Sequence, residues 1–423
     1  MNLSTNESAP QMDLFSCVAE AYKQSPDRPL SNDRLYELVA QKAGISMSEL
    51  NAREPVGTSG QMHSLKAREL RWHQQTLKHM GVIERVPGLR GVWALTDKAK
   101  NDLHPPKPGV KLLGFSTELG CAVWGYSQDV LQNLDTPITL AITSTPYPLR
   151  KQRAYGNPTA ADFVDFICEI LEPVVDKLSD DGSLVLNLSN DCFEPGSPQR
   201  STYLERVTIA IEDRLGLSLM ERFVWSVKNK VPGPIQWASK KRTHVHTGWE
   251  PILWFARDPH RVKSCNQRVL QPHTSQHLKL MAKGGESRQS AYGDGAYRLK
   301  PGSYGRITEG AIPRNVIELS HNCDVGRAHR KVVDRLGLPQ HGAGFPLALP
   351  SFLIRFLTEP DDLVVDFCAG RSMTGLAAQL LGRRWLCVEA MLEYIRSGAE
   401  LFRAFPDFWM NPEIDITSSR TQG

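Results

Sequence analysis

The stretch VVDFCAGRSMTGLAAQLLGRRWLCVE, residues 364–389, decides how this chain folds. An apolar run ends in Asp366, and three small residues (Cys368, Ala369, Gly370) make a turn. A helical pattern over 373–381 follows, and a second apolar run, WLCVE, ends in Glu389. Strand, turn, helix and strand in that order form one unit of a parallel sheet. Its small-residue turn lets the backbone approach a ligand closely, and an acid closing the second strand can hold both hydroxyls of a ribose. The pattern is open to a generic dinucleotide turn. However, G-x-G-x-x-G is absent, as is the GK[ST] of a phosphate loop, so a phosphate-cradling role has little support.

Working outward, apolar runs alternate with helical ones. Strands are predicted at 110–115 (VKLLGF), 138–143 (ITLAIT), 183–188 (SLVLNL), 251–256 (PILWFA), 363–368 and 385–389. Helices are predicted at 159–178, 203–215 and 373–381. This alternation predicts a doubly wound α/β sheet over residues 110–256 and 341–423. Between these halves, 257–342 has no sustained period and carries 15 Lys/Arg against 7 Asp/Glu. The chain as a whole has a net charge of +4, so the rest is mildly acidic and 257–340 reads as an inserted basic lobe. A second motif, AITSTPYPLR (141–150), runs from a buried strand straight into Ser144-Thr145-Pro146-Tyr147. Alone, those four residues read as a surface turn. Their place at the end of an apolar strand is where α/β enzymes keep their sites.

The N-terminal part reads differently. Residues 1–11 read as a disordered lead, and helical spacing covers Leu14–Tyr22, Arg34–Ala43 and 65–80, with Gly81 placed as a C-cap. A hairpin with its turn at Pro87-Gly88 closes the unit. Helices followed by a hairpin is the order of a winged helix, assigned to 12–100. The segment RWHQQTLKHMGVIERVPGLRGVWALTDKAK (71–100) resembles the N-terminal winged-helix domain of Mrr-type restriction proteins. NDLHPPKPG (101–109) reads as a linker.

Composition excludes several classes. Hydrophobic residues make up 41% of the 423, an ordinary globular value. No apolar run approaches the roughly 18–20 residues of a membrane span. The N-terminus lacks a basic segment followed by an apolar one, so a secretory signal is not expected. The eight Cys show no C-x-x-C pair, which leaves a structural zinc site or a disulfide framework unsupported. A soluble, cytoplasmic protein is expected. His244, His246, His260, His273 and His277 form no metal set with Cys or acids, and no metal is assigned.

With both motifs in hand, the chain resembles the beta-class amino-methyltransferases of DNA. In that family a catalytic [SDN]-P-P-[YF] tetrapeptide precedes the DNA-recognition region, and the donor motif D-P-F-x-G-x-G-T-T comes last. Here the order is 144–147, then the basic lobe, then DFCAGRSMT at 366–374. HGAGFPLALPSFLIRFLTEPDDLVVDF (341–367) resembles the H-x-x-x-F-P run leading into the donor motif. VWSVKNKVPGPIQWASKKRTHVHTGWEPILWF (224–255) resembles the family's W-x-K-x-x-x-x-P stretch. The resemblance implies a Rossmann-like methyltransferase sheet, with double-stranded DNA as substrate and S-adenosylmethionine, which has no phosphates, as donor. A bacterial or phage-borne, nucleoid-associated protein is implied. A cognate restriction endonuclease is compatible with it, and the oligomeric state is left open.

The implied chemistry is methyl transfer to the exocyclic amine of a flipped base. Ser144, Thr145, Pro146 and Tyr147 are the expected catalytic residues. Tyr147 stacks the base, while the Ser144 hydroxyl and backbone carbonyls at 145–146 accept from the amine. Phe345, Pro346, Asp366, Phe367, Cys368, Ala369, Gly370, Thr374 and Glu389 are the expected cofactor residues. Ser at the first tetrapeptide position leans toward cytosine-N4; adenine-N6 is the alternative. None of the eight Cys follows a Pro, against a carbon-5 cytosine mechanism. Candidate DNA contacts are Arg150, Lys151 and Arg153 after the turn; Lys228, Lys230 and Arg242 around Trp225 and Trp237; and Arg288, Arg298 and Arg306 in the lobe. The chain departs from the family in three places: Thr145 stands for Pro; the donor motif has Phe367-Cys368 for Pro-Phe and Arg371 and Met373 at Ser/Gly-type positions; and Tyr126 (in VWGYS, 123–127) stands for an expected Asp. Those departures also admit a non-catalytic DNA-binding regulator.

Overall fold

The run ITLAIT folds as expected, into a strand (Ile138–Thr143) buried at every residue. An unbroken apolar run of this kind suits a strand covered on both faces. The structure is a computed structural model, and it describes residues 14–23, 29–56, 61–79, 82–96, 104–148, 162–292, 297–342 and 344–415.

In the N-terminal part, helices Leu14–Lys23, Asn32–Ala43, Met47–Asn51 and Leu65–His79 accompany strands β1 (Leu30–Ser31), β2 (Glu54–Val56), β3 (Gln61–His63), β4 (Ile83–Arg85) and β5 (Val92–Leu95). Strands β1, β5 and β4 form a three-stranded antiparallel sheet. Its core joins Leu35, Val39, Leu70, Leu77 and Trp93. Ser31 caps the second helix by accepting from Arg34 N, and Gly44 ends it with φ 64°. Strands β2 and β3 pair antiparallel, Glu54 with His63 and Val56 with Gln61. The expected C-cap Gly81 lies outside the described residues.

The remaining main-sheet strands, in chain order, are β6 (Leu112–Thr117), β7 (Gly120–Trp124), β8 (Ile138–Thr143), β9 (Leu178–Asn187), β10 (Ser218–Ser226) and β11 (Trp249–Ala256). A two-stranded hairpin of β12 (Ser290–Tyr292) and β13 (Tyr297–Leu299) intervenes. Then come β14 (Val316–Glu318), β15 (Leu363–Asp366), β16 (Arg384–Glu389) and β17 (Trp409–Met410). The ten-stranded order is β14-β10-β11-β9-β8-β15-β16-β7-β6-β17. Pairing is parallel from β9 through β8, β15 and β16 to β7. It is antiparallel at β9–β11, β11–β10, β7–β6 and β6–β17. The doubly wound α/β fold is therefore present as a mixed sheet with a parallel centre.

Helices cover both faces. Side chains from Phe163–Lys177 and Tyr203–Leu215 build one core, and those from Ala348–Leu357, Met373–Leu380 and Leu392–Ala399 build the other. The strands feed both by alternation: Leu140 and Val364 face one layer, Ala141 and Val365 the other.

The expected inserted lobe is less separate than its composition implies. β14 joins the main sheet beside β10. Helix Asp324–Leu336 sends His329 to the carbonyl of Ser397, 2.7 Å away. The expected linker is docked at its described end, because the His104 backbone N donates to Glu393 Oε2 at 2.8 Å. No helix among the described residues is long and apolar enough to cross a membrane.

Candidate active site

The chain leaves the neighbouring strands β8 and β15 toward opposite sides of the sheet. From β8 it passes through helix Phe163–Lys177 to β9; from β15 it passes through Met373–Leu380 to β16. A crevice opens at the carboxyl ends of two strands that part in this way. Thr143 closes β8 and Asp366 closes β15, and their side chains join across the gap, Oγ1 to Oδ1 at 2.7 Å.

Asp366 is the knot of this floor. Its carboxylate also accepts from Thr374 Oγ1 at 2.5 Å and from Cys368 N at 3.2 Å. Burial pushes its pKa up to about 6 against the pull of these three donors. One aspartate thus holds the end of each strand, the first residue of the turn and the helix that follows. The turn is tight enough to require glycine at 370: φ is 51°, and a Cβ there would meet the His341 ring at 2.9 Å.

Glu389 ends β16 over the same turn. It accepts from Gly370 N at 2.6 Å and Met391 N at 2.8 Å. Burial raises its pKa to about 7, opposed by those two backbone donors. Each oxygen keeps lone-pair capacity for a further donor.

These elements bound a cavity of about 350 Å³. Ser144, Thr145, Pro146 and Tyr147 form one wall; Phe367, Cys368 and Glu389 form another. The two sequence motifs, more than 200 residues apart, therefore meet. Thr145, where the family carries Pro, is 1% exposed, and its Oγ1 has no hydrogen-bond partner. Tyr126, which stands where an acid was expected, lines the cavity, and burial raises its phenol pKa.

Of the other expected cofactor residues, Asp366, Ala369, Gly370 and Thr374 form the layer beneath the lining. Phe345 and Pro346 do not line the cavity; Phe345 packs against the core. Pro105, Gln128, His341, Met391 and Tyr394 line it without having been expected. Pro105 is brought there by its neighbour: the His104 ring bonds Glu393, and Leu392 N donates to His104 O at 3.1 Å. Burial raises the Glu393 carboxyl, but the His104 bond and charge hold it below its ordinary value. His341 opens the H-x-x-x-F-P run (341–346) without having been singled out from it, and Pro105, Gln128, Met391 and Tyr394 sit in no motif.

The expected DNA contacts divide. Arg150, Lys151 and Arg153 lie outside the described residues. Lys230 is bound to Glu250 at 2.7 Å with both side chains largely buried. Lys228 pairs with Glu318 at 3.1 Å, and Arg288 grips Glu286 at 3.0 and 2.8 Å. Arg242, Arg298 and Arg306 are exposed and make no ion pair among the described residues. Trp225 is core, with Nε1 donating to Leu319 O at 3.2 Å. No group of three or more potential metal ligands occurs among the described residues.

Comparison with known proteins fits this geometry. A family model described as DNA methylase matches residues 138–400. The Type II methyltransferase M.PvuII of Proteus hauseri is 33% identical over 296 residues, 68% of this chain and 85% of that protein. The solved structure of PvuII DNA methyltransferase (cytosine-N4-specific) superposes with a TM-score of 0.54 at 30% identity, covering 69% of this chain and 89% of that one.

Proposed function

Since the chain belongs to the DNA methylase family, we propose that it moves a methyl group from S-adenosylmethionine to the exocyclic N4 of a cytosine flipped out of duplex DNA. The observation carrying this reading is the single cavity walled on one side by Ser144–Tyr147 and on the other by Phe367, Cys368 and Glu389. The residues present fit such a donor. Glu389 offers a buried carboxylate with spare acceptor capacity for two ribose hydroxyls, and no phosphate cradle accompanies it. When bound, S-adenosylmethionine supplies a methyl group made electrophilic by a sulfonium.

The chain's own residues do the rest. The amine of cytosine is a poor nucleophile because its lone pair is drawn into the ring. Acceptors aimed at its protons, Ser144 Oγ and the carbonyls at 145–146, localise that pair and orient it. The unpartnered Thr145 hydroxyl adds a donor or acceptor to the same wall. Tyr147 provides the ring on which the extruded base stacks. Transfer is direct, with no covalent intermediate on the protein. Ser144 and the name of the cytosine-N4-specific relative together favour cytosine over adenine.

The N-terminal unit is read as a winged helix that adds DNA contact. On its helix Leu65–His79, Trp72 is 63% exposed and flanked by exposed Arg68 and Arg71, a surface suited to phosphates.

Incubation with unmethylated bacterial DNA and donor, digestion to nucleosides and mass spectrometry should yield N4-methylcytosine. N6-methyladenine would reassign the base and keep the site. Tight DNA binding with no methylated base would replace the reading with a regulator.

The pKa of Glu389 makes a second expectation. The free carboxyl sits near 7, and hydroxyl donors favour its ionised form, so binding lowers its pKa and releases a proton. Donor affinity should therefore be level above about pH 7 and fall roughly tenfold per unit below it. The unliganded fold follows the opposite sign, losing stability as pH rises from the ordinary 4.5 to about 7. Calorimetric titration with S-adenosylhomocysteine between pH 5.5 and 8.5 checks this; a flat profile removes Glu389 from donor binding.

A further inference from the structure

Arg371, one residue past the glycine of the turn, is 7% exposed. Its Nε has no hydrogen-bond partner, and Nη2 makes only a long contact of 3.4 Å to the carbonyl of Phe345. No carboxylate pairs with it among the described residues. Two glycines make its berth: a Cβ at Gly344 would lie 2.9 Å from Nε, and one at Gly326 would lie 3.5 Å from Nη2. A guanidinium has five donors, and burying it without an anion is costly, so an isolated one is seldom tolerated for packing alone. Burial also pulls its pKa down, the neighbouring Arg330 adding to the effect.

Its surroundings indicate what completes it. The guanidinium lies in the seam between the turn 367–372 and the segment around Gly344–Phe345. Phe367 and Cys368 of the first, and His341 just before the second, line the cavity. The missing partner is therefore an anion at the edge of the donor site. We propose that Arg371 receives the carboxylate at the amino-acid end of the methyl donor, as a two-pronged clamp that this chain has in place of a small residue. The inference rests on the reading of the cavity as the S-adenosylmethionine site.

A ligand comparison separates the two. S-Adenosylhomocysteine carries the carboxylate, whereas 5′-methylthioadenosine has the same adenosine and sulfur without it. In the full chain, Arg371→Met should weaken S-adenosylhomocysteine roughly 10- to 100-fold and leave methylthioadenosine within about twofold. The ligand-free melting temperature should not fall, because an unpaired buried charge has been removed. Arg371→Lys keeps the charge without the fork and should fall between, and it carries the comparison if the methionine variant does not fold. Equal losses for both ligands, or none, overturn the proposal. So does weakened DNA binding with unchanged S-adenosylhomocysteine affinity, which would assign the arginine to a phosphate. Failure of the unsubstituted protein to bind either adenosyl compound would remove the donor-site reading itself, and the clamp with it.

Discussion

Tyr147→Ala should lower the single-turnover rate of methyl transfer by roughly a hundredfold or more, because a base displaced by even an ångström loses its line to the methyl group. The ring lines the cavity and leans on the core built by helices Phe163–Lys177 and Tyr203–Leu215. Its contribution is a stacking surface worth roughly 1–3 kcal/mol for an extruded base. Most duplex affinity comes from phosphate contacts elsewhere, so binding at fixed salt should change little. Tyr147→Phe keeps the ring and should retain most of the rate. The paired readouts are rapid-quench transfer and gel-shift affinity. Turnover in the alanine variant equal to the parent's would detach 144–147 from catalysis.

The second large effect concerns Asp366, which touches the chemistry only through its neighbours. Asp366→Ala strands Thr143 Oγ1, Thr374 Oγ1 and Cys368 N in a fully buried place. Each orphaned group costs about 1–3 kcal/mol, partly offset because a desolvated carboxylate is also removed. A net loss on the order of 3 kcal/mol follows, a fall in Tm of several degrees, together with loss of donor binding. Asp366→Asn keeps an acceptor for two of the three donors and should cost much less. Thermal melts of the two variants test this; an alanine variant as stable as the parent would show that the strand ends are held by packing alone.

How much of this was readable in advance depended on how a residue's burial arises. ITLAIT and the helix at 203–215 were legible to the residue because both are buried by their own apolar pattern. β10 was not foreseen: Glu221 and Arg222 interrupt its alternation, and the strand absorbs them with a register shift between Leu219 and Glu221. β7 begins at Gly120, where a side chain would collide with the Trp385 carbonyl, so the residue that enables the pairing is also the one that hides it. Helix Asp324–Leu336 escaped because its buried face is Gly326, His329 and Val333, correct in spacing but poor in hydrophobicity. In the site, both motifs and their meeting were legible. Pro105, His341 and Tyr394 were not, since only the fold brings them to the cavity. The pairing of Lys230 with Glu250 was not legible either, because Glu250 lies on β11, 20 residues farther along the chain, beyond the reach of a local count of charge.

The position of β15 between β8 and β16 also governs how the protein must be made. Thr143 and Asp366, joined in the finished floor, are separated by 223 residues of chain. At roughly 5–20 residues per second, a ribosome needs about 10–45 seconds to travel that distance. Throughout that interval β8 can pair only with β9, and its other edge, apolar on both faces, stays bare. A flat hydrophobic edge is the surface on which nascent chains stick to one another. The bipartite site thus ties catalytic competence to the arrival of β15 and β16: no product that stops before them can bring the two walls together, and β8 keeps a bare edge until β15 is made.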